Sequence, residues 1–311
     1  MTGDSWNGAN FDWVTIKYAA EVVRPPLNIQ RLSSNAVLSC TNAALGLQSA
    51  PAISDTFTNV PGATSPYTIP IAGGQAFFRL SLSGGCSSGI SGLLAHEPFD
   101  YPAGSALDTM NGGTGFSGPW SSTIAGPNYI IADGSLNFSP LCVSGGRMFS
   151  TPGQTQMART LASDFGADGS TRYFSFLLRP EGVLNGGDFG GFHGLALQGG
   201  PGLFIGKPGG GALESYVLED VGGAGQVPSS VTAVVGETVL LVVKAEFAVG
   251  NDTFTLYVNP VPGSPEPATG TGTVKSDLDL GTSNTLLIYS GGEFSLDELR
   301  FGETFESVTP R

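Results

Sequence analysis

The run FSLDELRFGETFESVTP, residues 294–310, decides how this chain is read. Its first eight residues carry enough alternation to form a strand, with Phe294, Leu296 and either Leu299 or Phe301 placed for burial. The acidic pair Asp297-Glu298 interrupts that pattern, and Arg300 stands two residues beyond Glu298, the spacing at which two side chains share a strand face. One carboxylate is therefore expected toward solvent near a sheet edge, the other toward Arg300. Working back along the chain, residues 173–178, 192–197, 238–247, 253–258 and 286–289 are rich in aromatic and β-branched residues and read as further strands. The VLLVV run within 238–247 is apolar on both faces and belongs at the centre of a sandwich. Its successor follows after AVGND, a hairpin loop. Residues 156–165 are the one stretch read as helical, for a turn or two.

Composition agrees with many short strands joined by turns. Of 311 residues, 47 are Gly and 21 Pro in a chain still 40% hydrophobic, a load that helices tolerate poorly. Residues 1–92 hold four acids and four bases, so the whole net charge of −13 falls in residues 93–311. A surface this acidic repels phosphate backbones and anionic lipid, which argues against nucleic acid and membranes as partners. No run is long enough for a membrane span, and no secretory signal follows Met1. Cys40, Cys86 and Cys142 form no C-x-x-C unit; one disulfide plus a thiol, or three thiols, both remain open.

Four regions follow. Residues 1–26 hold one strand, NFDWVTIKY at 10–18, before a Pro-Pro break. Residues 27–82 read as a small β-sandwich-like module of short apolar runs between turn signals. Residues 83–92 are Gly/Ser linker by composition, and longer strands begin at residue 93. The 10–18 strand resembles the closing strand of a bacterial β-propeller blade, which implies the remnant of a larger β domain. The 27–82 pattern is similar to a module near the ends of large secreted bacterial proteins.

EPFDYPAGSALDTMNGGTGFSGPW (97–120), RYFSFLLRPEG (172–182), LFIGKPGGG (203–211) and the closing FSLDELRFGETFESVTP resemble the concanavalin A-like, laminin-G-like domains of bacterial surface proteins. The resemblance covers residues 93–310. It implies an all-β jelly-roll sandwich whose last strand seals against the domain's beginning, a structural role for Asp297-Glu298, and an extracellular or cell-surface location. It does not choose a ligand, because lectins, hydrolases and spacers share the fold.

Hydrolases of this fold set two glutamates on one strand in the order E-x-D-x-x-E, as nucleophile and general acid. No E-x-D occurs here. Two histidines, His96 and His193, and no G-x-S-x-G elbow leave a catalytic triad unsupported, and no glycine run has the order of a phosphate-binding loop. No catalytic residue is assigned. Calcium is the one cofactor the acidic composition leaves open, through Asp277 with Asp279, Asn251-Asp252 or Glu219-Asp220. Aromatic rings offer the route to sugar binding. Trp120, Phe192 and Tyr216 are the candidate ligand-binding rings, with Tyr129 a further one, and His193 joins them from the glycine-rich FGGFHG at 189–194. The expectation is a noncatalytic binding or adhesion module for a glycan or surface protein; the alternatives are a structural spacer and, third, a glycoside hydrolase with an atypical site.

Overall fold

The computed structural model describes residues 2–6, 11–15, 27–40, 45–52, 57–60, 63, 65–71, 76–82, 90–124, 129–209, 214–268 and 270–311. The proposed linker at 83–92 therefore lies largely outside the described residues. Contacts divide the chain into two compact units, Met1–Gly85 and Cys86–Arg311.

In the first unit β1 (Thr2–Trp6) pairs antiparallel with β2 (Phe11–Thr15). Strands β3 (Asn28–Leu32), β4 (Asn35–Ser39), β5 (Leu45–Ala50), β6 (Thr58–Asn59), β7 (Tyr67–Pro70) and β8 (Phe77–Leu82) make two three-stranded sheets, ordered β3-β4-β7 and β6-β5-β8. Among their described residues Leu38, Leu47 and Ala50 are buried apolar side chains.

The second unit is a jelly-roll sandwich of two facing antiparallel sheets. One seven-stranded sheet runs β10 (Ser121–Ile124), β13 (Thr155–Phe165), β22 (Ser283–Ser290), β15 (His193–Leu197), β16 (Leu203–Lys207), β17 (Ser215–Asp220), β18 (Ala224–Thr232). The facing sheet runs β11 (Tyr129–Ala132), β12 (Arg147–Ser150), β23 (Phe294–Gly302), β14 (Thr171–Pro180), β19 (Val239–Glu246), β20 (Asp252–Val258), β21 (Thr273–Leu278), with β9 (Leu93–Glu97) also on β23. The apolar alternation of these strands fills the space between the sheets with Leu195, Ile205, Leu241, Val243, Phe254, Ile288 and Phe301. Hairpin β19–β20 is as the sequence predicts, and β14 separates it from β23 in the same sheet.

Residues 155–165 are strand, not helix. Thr155, Met157, Arg159 and Leu161 are buried while the residues between them are half-buried, a period of two. Arg159 can occupy the interior because its guanidinium bonds Glu97 and the Gly112 carbonyl (2.6 Å), with Phe116 on its face at 4.0 Å. The helix lies elsewhere: α1 (Phe305–Val308), opened by a reciprocal Thr304–Ser307 capping box, packs on β14 and β23.

The acidic pair also departs from expectation, since Asp297 and Glu298 are both fully buried. One edge of β23 is shared: β12 pairs with Phe294, Ser295 and Leu296, and β9 pairs with the stretch from Leu299 to Gly302. Asp297 and Glu298 sit at the handover, where the ladder bulges and Glu298 adopts φ 52°. Glu298 Oε2 meets Arg300 Nη2 and His96 Nε2, each at 2.5 Å, and Oε1 accepts the Ser144 N–H. Asp297 accepts the Leu136 N–H (2.8 Å), and Arg300 donates to the Cys142 carbonyl (2.6 Å). Burial, then the neighbouring Glu298, holds the Asp297 carboxyl well above the usual range. The expected Glu298–Arg300 pair is present, and together these groups hold the 133–146 loop against the closing strand. Cys142 in that loop is disulfide-bonded.

The loop and α1 cover the outer face of the eight-stranded sheet, with Leu136, Leu141, Phe305 and Val308 lying on Tyr173, Leu177, Leu240 and Tyr257.

Candidate functional site

The rings singled out in the sequence are interior. Trp120 is buried, its indole N–H donating to Glu97 (3.0 Å) and its ring stacked 6.1 Å from Phe99. Tyr129 donates to the Thr155 carbonyl (2.9 Å) inside the sandwich, and burial raises its hydroxyl pKa. Tyr216 and His193 point inward, and Phe192 is nearly covered. None of the four assigned residues offers a ring face to solvent, so a sugar platform made of them is not present. For Tyr216 strand parity sets the burial, since it shares the inward set of β17 with Leu218.

What sequence reading missed lies beside them, on the outer face of the seven-stranded sheet. Ala158, Leu287, Ala196, Phe204 and Glu219 form one row across five strands, each the direct partner of the next. Within it Ala196, Phe204 and Leu287 join Phe192 in a buried apolar cluster separate from the core, edged by Ala158, Tyr289 and Val221. The Phe192 ring meets Tyr289 at 4.6 Å and Phe204 at 6.1 Å, both edge-on. Gly194 and Gly206, paired in the adjacent row, leave backbone in place of side chains.

Phe189 continues the ring series outward. Its centroid lies 6.4 Å from that of Phe192, and the residue is 69% exposed. Its backbone is left-handed, φ 52° and ψ 36°, an unfavourable state for a bulky residue. Asp188 sets the turn: its N–H donates to the Gly291 carbonyl (3.0 Å) and its carboxylate accepts the Gln154 N–H (2.8 Å). The one signal in the sequence is Asp188-Phe189 between two glycine pairs, 186–187 and 190–191, which marks a backbone needing unusual angles.

Glu219 closes the row at the other end. Its side chain is buried, Oε2 has no hydrogen-bond partner among the described residues, and burial pushes its carboxyl up to about 7. Of the carboxylates considered for calcium, Asp220 and Asp277 pair with Lys275 at 3.0 and 2.8 Å. Asp252 accepts the Ala248 and Leu280 N–H groups. Among the described residues no group of three or more His, Cys, Asp or Glu side chains is placed to hold a metal.

No family model and no curated protein matches the sequence. Solved structures do align with it. Domain 4 of AbnA, a GH43 extracellular arabinanase from Geobacillus stearothermophilus in complex with arabinotriose, matches at 15% identity and a TM-score of 0.45, covering 70% of this chain and 98% of that one. The endo-1,3-beta-glucanase of Streptomyces sioyaensis matches at 11% identity and 0.43, over 68% and 96%. Lectin UEA-II complexed with galactose matches at 12% identity and 0.34, over 53% and 91%.

Proposed function

We propose that this chain is a noncatalytic glycan-binding module of an extracellular or cell-surface protein, and that the sugar stacks on the exposed Phe189 ring at the edge of the buried cluster on the seven-stranded sheet. The observation that carries this reading is Phe189, an exposed ring held in a costly backbone state at the open end of the series Phe192, Tyr289 and Phe204. Ring faces stack on the apolar face of a pyranose or furanose and exclude water from it. Glu219 is the only carboxylate in its row, and retaining hydrolysis needs two about 5–5.5 Å apart.

The test is a glycan array probed with the full chain, followed by titration calorimetry on the best ligand. Phe189→Ala should weaken binding about ten-fold, in line with roughly 1.4 kcal/mol for a lost stacking contact, and leave the melting temperature unchanged. Full affinity in that variant, or turnover of a β-glucan by the wild type that Glu219→Gln abolishes, would overturn the reading.

A further inference from the structure

We infer that Lys207 and His193, both buried beneath the sheet, are positioning residues that hold loop 185–191 in the shape that displays Phe189. This inference rests on the binding face proposed above.

The two side chains are direct neighbours across β15 and β16, on the inner face. Both reach the loop from inside. Lys207 Nζ donates to Asn185 Oδ1 (3.0 Å) and to the Gly190 carbonyl (2.9 Å), while His193 Nδ1 lies 3.1 Å from the Gly191 carbonyl. A carbonyl can only accept, so Nδ1 carries the proton and Nε2 is a bare lone pair. That Nε2 has no hydrogen-bond partner among the described residues, and the imidazole stacks on Phe294 at 5.0 Å.

Neither residue suits a core. Lys207 has no ion-pair partner among the described residues, and burial lowers its pKa against the pull of Glu214. Burial also lowers His193 to about 3, so its ring stays neutral. A buried amine without a counter-ion and a ring nitrogen without a hydrogen-bond partner both cost stability in a sandwich interior, where Leu or Phe would stabilise. What they hold explains them. The loop contains Gly186, Gly187, Gly190 and Gly191, and Gly187, Phe189, Gly190 and Gly191 all take positive φ. A segment so rich in glycine loses much conformational entropy when fixed. Three carbonyl oxygens anchored from within, together with the Asp188 bonds from without, fix it in one state.

The test measures amide hydrogen exchange and glycan titration on the full chain, for the wild type, Lys207→Met, Lys207→Arg and Asn185→Ala. Lys207→Met should speed exchange across residues 185–191 about ten-fold or more, weaken binding by a similar factor, and leave exchange in β19 and β20 unchanged. Lys207→Arg, which keeps donors in place, should recover part of both effects. Asn185 is exposed, so Asn185→Ala spares the core if Lys207→Met misfolds, and it should loosen the same loop more mildly. Unaltered loop exchange in Lys207→Met and Asn185→Ala would overturn the positioning role whatever the ligand. A loosened loop with unchanged affinity would separate the anchor from binding and overturn the inference. If Phe189→Ala also binds normally, the proposed face falls with it.

Discussion

At the scale of single residues, Glu219 has the clearest measurable consequence. Its carboxyl titrates near 7 in the fold against about 4.5 when exposed, so the folded state holds the proton more tightly. Its contribution to stability is therefore fully present below about pH 4.5 and lost as pH rises through about 7. Glu219→Gln keeps the neutral form at every pH. The variant should melt above the wild type at pH 8, and the difference should close as pH falls toward 4.5. Thermal melts of both proteins across that range check it, and a constant difference would show that Glu219 titrates normally. His193 acts with the opposite sign. Its folded pKa of about 3 lies below the usual 6.5, so stability is lost as pH falls through that interval.

At the scale of elements, β23 governs the sandwich, because β12, β14 and β9 all bond to it. Removing residues 294–311 should abolish cooperative unfolding of the second unit, while truncating its packed neighbours has a graded cost. Leu240→Ala should cost about 2–5 kcal/mol and Phe254→Ala about 3–5 kcal/mol, measured by chemical denaturation. An unchanged sharp melt after the truncation would show that β23 is not the closing element. The strands were legible because aromatic and β-branched residues alternate along them. Residues 155–165 were not, because Arg159 occupies an inward position through a partner, Glu97, 62 residues earlier, which no local pattern reveals. The acidic pair was misplaced for a related reason: its burial depends on β12 and β9 meeting along one edge. The candidate site was half legible. The run 189–194 lies in the right place, yet which of its rings faces out depends on the backbone angle at Phe189 rather than on any periodicity.

At the scale of the whole molecule, the acidity of residues 93–311 and the division at residue 85 point to units that can be separated. We propose that residues 27–82 and 93–311 fold independently. Residues 86–311 expressed alone should keep the melting temperature of the second unit and its glycan affinity, as calorimetry of both proteins would show. Loss of cooperative melting in that fragment would make the two units interdependent. The pairing of β9 with β23 has a mechanical consequence. The strand that enters the sandwich begins opposite the end of the strand that leaves it, Leu93 against Gly302, and the Glu303 N–H donates to the Gly92 carbonyl at 2.8 Å. Tension applied between these two points would load the ladder one hydrogen bond at a time, as a zipper opens, instead of shearing all the bonds together. Pulling these two points apart would therefore open the β9–β23 pairing before the rest of the sheet.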